Sequence, residues 1–167
     1  MIIRLITDNN LKNCLEYLVT SLKLSEVAAC SVKKYANKVV EALLLIPQFS
    51  EAFLNFCLLS EREKNISAVM QKSNLYMICT MFRGINVIQL LFEKANFEMR
   101  KRLNKDAKLI YKTFKSVIKP KFAKILKETL DQVKLSILEK INEFKITKAR
   151  EVQQQQTEKN KKMKINL

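Results

Sequence analysis

"FRGINVIQLLFEKA", residues 82–95, holds the only glycine in a chain of 167 residues. With two prolines besides, the chain lacks the residues that β-hairpins need for tight turns. What it has in quantity is Leu, Lys, Glu, Ala and Met, side chains that lose little rotamer freedom in a helix. Apolar residues make up 48% of the sequence, enough for one domain of this length to bury a core. The chain is therefore predicted to be all-α: an irregular helical bundle or short helical-repeat array, followed by a long basic helical pair.

Outward from Gly84, the pattern punctuates itself without glycine. "TDNNLKNCLEYLVTSLKL" opens with capping residues and sets Leu11, Cys14, Leu15, Leu18 and Leu22 on one helical stripe. Ser25 is placed to cap the next helix, which is expected to run until Pro47 stops it. Ser50 then caps a short apolar helix, and Ser60 with Glu63 has capping-box spacing. Ser73 opens "NLYMICTMF", which Gly84 closes or bends. Short, largely apolar helices of this kind are packed on more than one side, and residues 1–96 read as an apolar multi-helix core.

After Ala95 the texture changes. Leu103, Ala107, Ile110, Phe114 and Val117 recur at 4, 3, 4 and 3 with lysines between them. Pro120 interrupts, and Leu126, Leu130, Val133, Ile137, Ile141 and Phe144 form a second stripe. Residues 97–150 are thus either an antiparallel hairpin or one long helix kinked at Pro120. A kink costs about 3 kcal/mol, and folding back shelters both stripes, so the hairpin is the expected form. Residues 151–167 lose the stripe and read as a fraying helix followed by a basic Gln/Lys-rich tail.

Charge follows the same division. Residues 1–96 carry a net +3 and residues 97–167 a net +12. Such a half attracts polyanions through counterion release, although lysines also simply keep a helix face soluble. Arg100, Lys101, Arg102 and Lys105 form one candidate phosphate-binding cluster; Lys119, Lys121 and Lys124 around Pro120 form another. The four cysteines, Cys14, Cys30, Cys57 and Cys79, lie in apolar surroundings without a CxxC pair, and no histidine accompanies them. They are expected to be packed free thiols in a reducing, intracellular compartment, with no bound metal or cofactor. "MIIRLI" is too short for a signal peptide, and no apolar run approaches the 18 or so residues of a membrane span. A membrane surface is not the expected partner, because aromatic anchors do not flank the lysine-bordered stripes.

The glycine segment also has a counterpart. Aligning "KKYANKVVEALL" (33–44) with residues 82–95 pairs Ala36 with Gly84, each followed by two variable residues, two apolar ones and Glu41 or Gln89. "KFAKILKETL" (121–130) is a poorer third copy with Ala123 and Glu128, and "ANFEMRKRL" follows the second copy as a charged segment. This pattern resembles the second helix of a PUF (Pumilio-type) repeat over residues 33–44, 82–100 and 121–130. The resemblance implies a small residue for close helix packing and side chains that reach a single-stranded RNA base. The positions carried over are Asn37, Lys38 and Glu41 in the first copy and Ile85, Asn86 and Gln89 in the second. Asn86 and Gln89 are the candidate base-contacting pair. The small residues are 48 and 39 apart, however, against roughly 36 in PUF arrays.

Enzymatic constellations are missing from the sequence. Without histidine there is no Ser-His-Asp or Cys-His arrangement, and one glycine cannot write a P-loop or dinucleotide fingerprint. The expectation is a non-enzymatic structural or interaction subunit of a larger assembly, such as a ribonucleoprotein, without a small-molecule substrate. It would contact protein subunits, and RNA or other nucleic acid through its basic C-terminal half. The alternative is a purely protein-binding helical scaffold whose basic charge serves solubility.

Overall fold

A computed structural model describes residues 21–165, with side chains as far as Glu158. The protein is all-α: the described residues form nine helices and no strand. These are α1 (Leu24–Cys30), α2 (Ala36–Leu43), α3 (Pro47–Cys57), α4 (Glu61–Asn65), α5 (Ser67–Met70), α6 (Asn74–Thr80), α7 (Gly84–Lys94), α8 (Phe97–Phe114) and α9 (Pro120–Ile165). The stripe at Leu11, Cys14, Leu15 and Leu18 lies outside the described residues; Leu22 packs at the edge of the core.

Local signals start several helices where the sequence places them. Ser60 and Glu63 form a complete capping box at α4, with the Ser60 N–H donating to the Glu63 carboxylate at 2.7 Å. The Ser73 hydroxyl accepts the Tyr76 N–H at 3.1 Å and starts α6. Asn96 accepts the Met99 N–H at 2.9 Å and starts α8. Three expectations are corrected: Ser25 lies inside α1, whose N-cap position is Lys23. The helix expected from Ser25 to Pro47 is broken over residues 31–35, because α1 packs on α3 and α6 while α2 packs on α7, and one straight rod cannot reach both. Pro47 also begins α3 rather than only ending its predecessor, as suits a residue with no N–H to satisfy. Ser50 accordingly sits inside α3, its hydroxyl donating to the Pro47 carbonyl at 3.2 Å.

At the centre lies α7, which packs against α2, α3, α6 and α9 and buries Ile85, Val87, Ile88, Leu91 and Phe92. Gly84 is its first residue. α6 and α7 meet at 114°, and a Cβ on Gly84 would collide with the Ile78 carbonyl oxygen and stand 2.7 Å from its carbon. The backbone there has no positive φ, so close approach alone requires the glycine. One hydrophobic cluster runs from Val27 to Leu130, joining the first helices to the basic pair across residue 96. Cys57 and Cys79 belong to it as free thiols. Burial pushes Cys79 up to about 12 and raises Cys57 further with Cys79 beside it, so both pack as neutral thiols.

The basic segment is a helical hairpin that turns over residues 115–119, with Pro120 opening α9. Leu103, Ala107, Ile110, Phe114, Leu126 and Leu130 are buried between it and the core. Burial then fades along α9: Val133, Ile137 and Ile141 are half-buried, and Phe144 is 56% exposed while its ring meets Phe97 edge-on at 5.7 Å. The cause is length. Eighteen residues give α8 about 27 Å, whereas the 46 of α9 reach about 69 Å. Beyond Phe144, α9 has outrun its partner, yet it continues to Ile165 where fraying was expected. No glycine or proline follows Pro120, and Glu, Gln and Lys are good helix formers.

Candidate nucleic-acid interface

Along α8, Lys101, Lys105, Lys108, Lys112 and Lys115 repeat at 4, 3, 4 and 3. This is the spacing of the apolar stripe Leu103, Ala107, Ile110 and Phe114, displaced by two residues. Two residues turn a helix by about 200°, so the stripe that faces the core dictates a lysine stripe facing out. Lys105, Lys112 and Lys115 are exposed; Lys101 and Lys108 are half-buried at its edge. The two clusters recognised in the sequence are the ends of this stripe, with Arg102 beside one end and Lys119 and Lys121 beyond the other. Lys105 to Lys115 spans about 15 Å by helical rise, and Lys108, Lys112 and Lys115 lie between the two clusters in the sequence. The sequence reading missed these three, although their periodicity is visible.

The balance of charge on this surface is one-sided. Residues 99–127 contain eleven Lys and Arg and a single acid, Asp106. Asp106 is buried on the inner flank of α8, where its carboxylate accepts the Leu59 N–H at 3.1 Å and lies 3.6 Å from Lys64 Nζ. Burial raises its pKa, opposed by the Leu59 N–H and the Lys64 and Arg102 charges. It anchors the loop between α3 and α4 to α8 and presents no negative charge to the lysine face.

The candidate residues are not equally available. Arg100 points back onto the end of α7: its Nε donates to the Phe92 carbonyl at 3.0 Å and its Nη2 to the Ala95 carbonyl at 3.2 Å. These are among the orphan acceptors that every helix C-terminus leaves, so Arg100 acts as a cap supplied by the next helix. Lys101 donates to both oxygens of Glu98 at 3.0 and 3.1 Å and lies over the Phe97 ring. Lys124 reaches Glu128 only at 4.0 Å, with 78% of its side chain exposed. Arg102, Lys105, Lys119 and Lys121 stand exposed.

Of the positions carried over from the PUF likeness, Asn37 is buried, with its Nδ2 donating to Glu41 at 3.2 Å and its Oδ1 without a partner among the described residues. Lys38 pairs with the same carboxylate at 2.7 Å, and Ile85 is buried. Gln89 donates to the Thr129 hydroxyl at 3.2 Å, tying α7 to α9, while Asn86 is exposed.

Compared with family models, curated proteins and solved structures, the chain finds no match.

Proposed function

We propose that this protein is a non-enzymatic helical subunit of a larger assembly that contacts RNA or another nucleic acid through the outer face of the α8–α9 hairpin. The observation that carries this reading is the run of eleven cations over residues 99–127, whose single acid is buried and hydrogen-bonded. A stripe of lysines at helical spacing suits a phosphate backbone, which needs cations and little else. Mass action on released counterions then supplies affinity without base contacts.

A second reading, a protein-binding scaffold, draws on the outer part of α9. Leu135, Leu138, Ile146 and Val152 are each 45–60% exposed there. The two readings are compatible in a subunit that carries both surfaces.

Binding of a labelled oligonucleotide followed by fluorescence anisotropy over a salt series tests the first reading. Log affinity should fall linearly with log salt, by about 0.7 for each phosphate neutralised on a single strand. Changing Lys105, Lys112 and Lys115 together to Gln keeps helix formers at exposed positions, and should flatten the slope by up to about 2. A variant that binds like the parent at every salt concentration refutes the lysine face and leaves the scaffold reading in first place.

A further inference from the structure

Where the lysine stripe ends, the α6–α7 corner and the α8–α9 turn come together. Between them lies a cleft of about 430 Å³ whose walls include Tyr76, Phe82, Val117 and Phe122. Phe82 stacks on Phe122 with ring centroids 4.9 Å apart and planes 26° from parallel, yet Phe82 remains 54% exposed. Met81 and Val117 beside it are 52% and 65% exposed. Three large apolar side chains in water at one corner are costly to maintain without a use. Among the described residues, the charges lining the cleft are Arg83 and Lys119, with no acid. Three other surface clefts each include a glutamate: Glu51, Glu93 or Glu158.

We propose that this cleft holds an unpaired base of a single-stranded nucleic acid whose phosphates run along the lysine stripe of α8; the proposal rests on the nucleic-acid reading above. Single-strand sites pair a cationic path with aromatic faces on which bases stack, and both parts are present here. Phe82 offers the ring, Arg83 and Lys119 flank it, and Lys115, Lys112, Lys108 and Lys105 lead away over about 15 Å of helix. An acidic amphipathic helix would need a long groove with anchors at successive turns. The aromatic cleft is confined to the corner between α6–α7 and the α8–α9 turn, and the charge leaves it as a track. Because every base has a π-face, the site should discriminate bases from no base rather than one base from another.

The test compares a thymidine oligonucleotide of about ten nucleotides, within the range of single-strand sites, with an abasic strand of equal length and charge. The parent should bind the base-bearing strand roughly 5- to 160-fold more tightly, the equivalent of one stacked base. Phe82→Leu keeps an apolar side chain of similar bulk and should abolish the difference without changing the salt slope. Phe82→Trp should retain it. Equal affinity of the parent for both strands, or an undiminished difference in Phe82→Leu, overturns the base site while salt-dependent binding leaves the lysine face standing. Failure of the parent to bind either strand at low salt overturns both. Tighter, Phe82-dependent binding to anionic phospholipid vesicles than to the oligonucleotide would also overturn the proposal, since the corner would then be a membrane anchor.

Discussion

Replacing Gly84 with alanine adds a single methyl group to a residue whose helical position would ordinarily welcome it. In an open helix interior the change stabilises by up to about 1 kcal/mol. Here the new Cβ would stand 2.7 Å from the Ile78 carbonyl carbon and 2.8 Å from its Cα, with the carbonyl oxygen closer still. Carbon atoms pack best at about 3.5–4.0 Å, so α6 and α7 must separate by roughly 1 Å. The obstacle is backbone, which cannot rotate aside as a flexible side chain can. Both helices are also pinned: Ile78 and Cys79 are fully buried, as are Val87 and Ile88. Overpacking a close-packed site costs about 1–3 kcal/mol, which outweighs the propensity gain. For a domain of this size, that lowers Tm by roughly 2–12 °C. Thermal melting followed by far-ultraviolet circular dichroism measures it, with Asn86→Ala as an exposed control on the same helix. A Gly84→Ala protein as stable as the parent would refute the close-approach argument, and a more stable one would make Gly84 an ordinary helical glycine.

Arg100→Gln removes the guanidinium that caps α7 and should destabilise by about 1–2 kcal/mol, at the lower part of the range for charged hydrogen bonds because the group is half-exposed. Chemical denaturation measures this; an unchanged midpoint would return Arg100 to the list of free cations. Asp106 has its pKa raised by burial, so the folded state favours its protonated form. Its contribution is fully present below the ordinary aspartate value, near pH 4, and is lost as pH rises through the folded-state value. Asp106→Asn should therefore remove a decline in stability over that window, seen as a flatter dependence of unfolding free energy on pH than the parent's. A steeper decline in the variant would mean that the Leu59 N–H and Lys64 outweigh burial.

Much of the architecture is written in short-range signals. One glycine and two prolines in 167 residues exclude a turn-rich fold. Ser60 with Glu63, Ser73 and Pro120 mark helix starts because a cap acts within three residues of itself. The hairpin is legible too, since two apolar stripes either side of a proline are best sheltered by folding back. So is the lysine face, which follows from the apolar stripe by a displacement of two residues. Other features depend on which distant segment returns to a given point, and periodicity along one helix carries no such information. Nothing local tells that residues 31–35 interrupt a helix, that Arg100 turns back to cap α7, or that Gln89 meets Thr129. The cleft joins Phe82 to Phe122, forty positions apart, and exists only because the α6–α7 corner and the α8–α9 turn end at the same place. The sequence alone determines the all-helical class, several helix starts and the sign of the charge. Which side chains remain free to act is decided by packing, because a contact made across the fold consumes a group that the sequence leaves available.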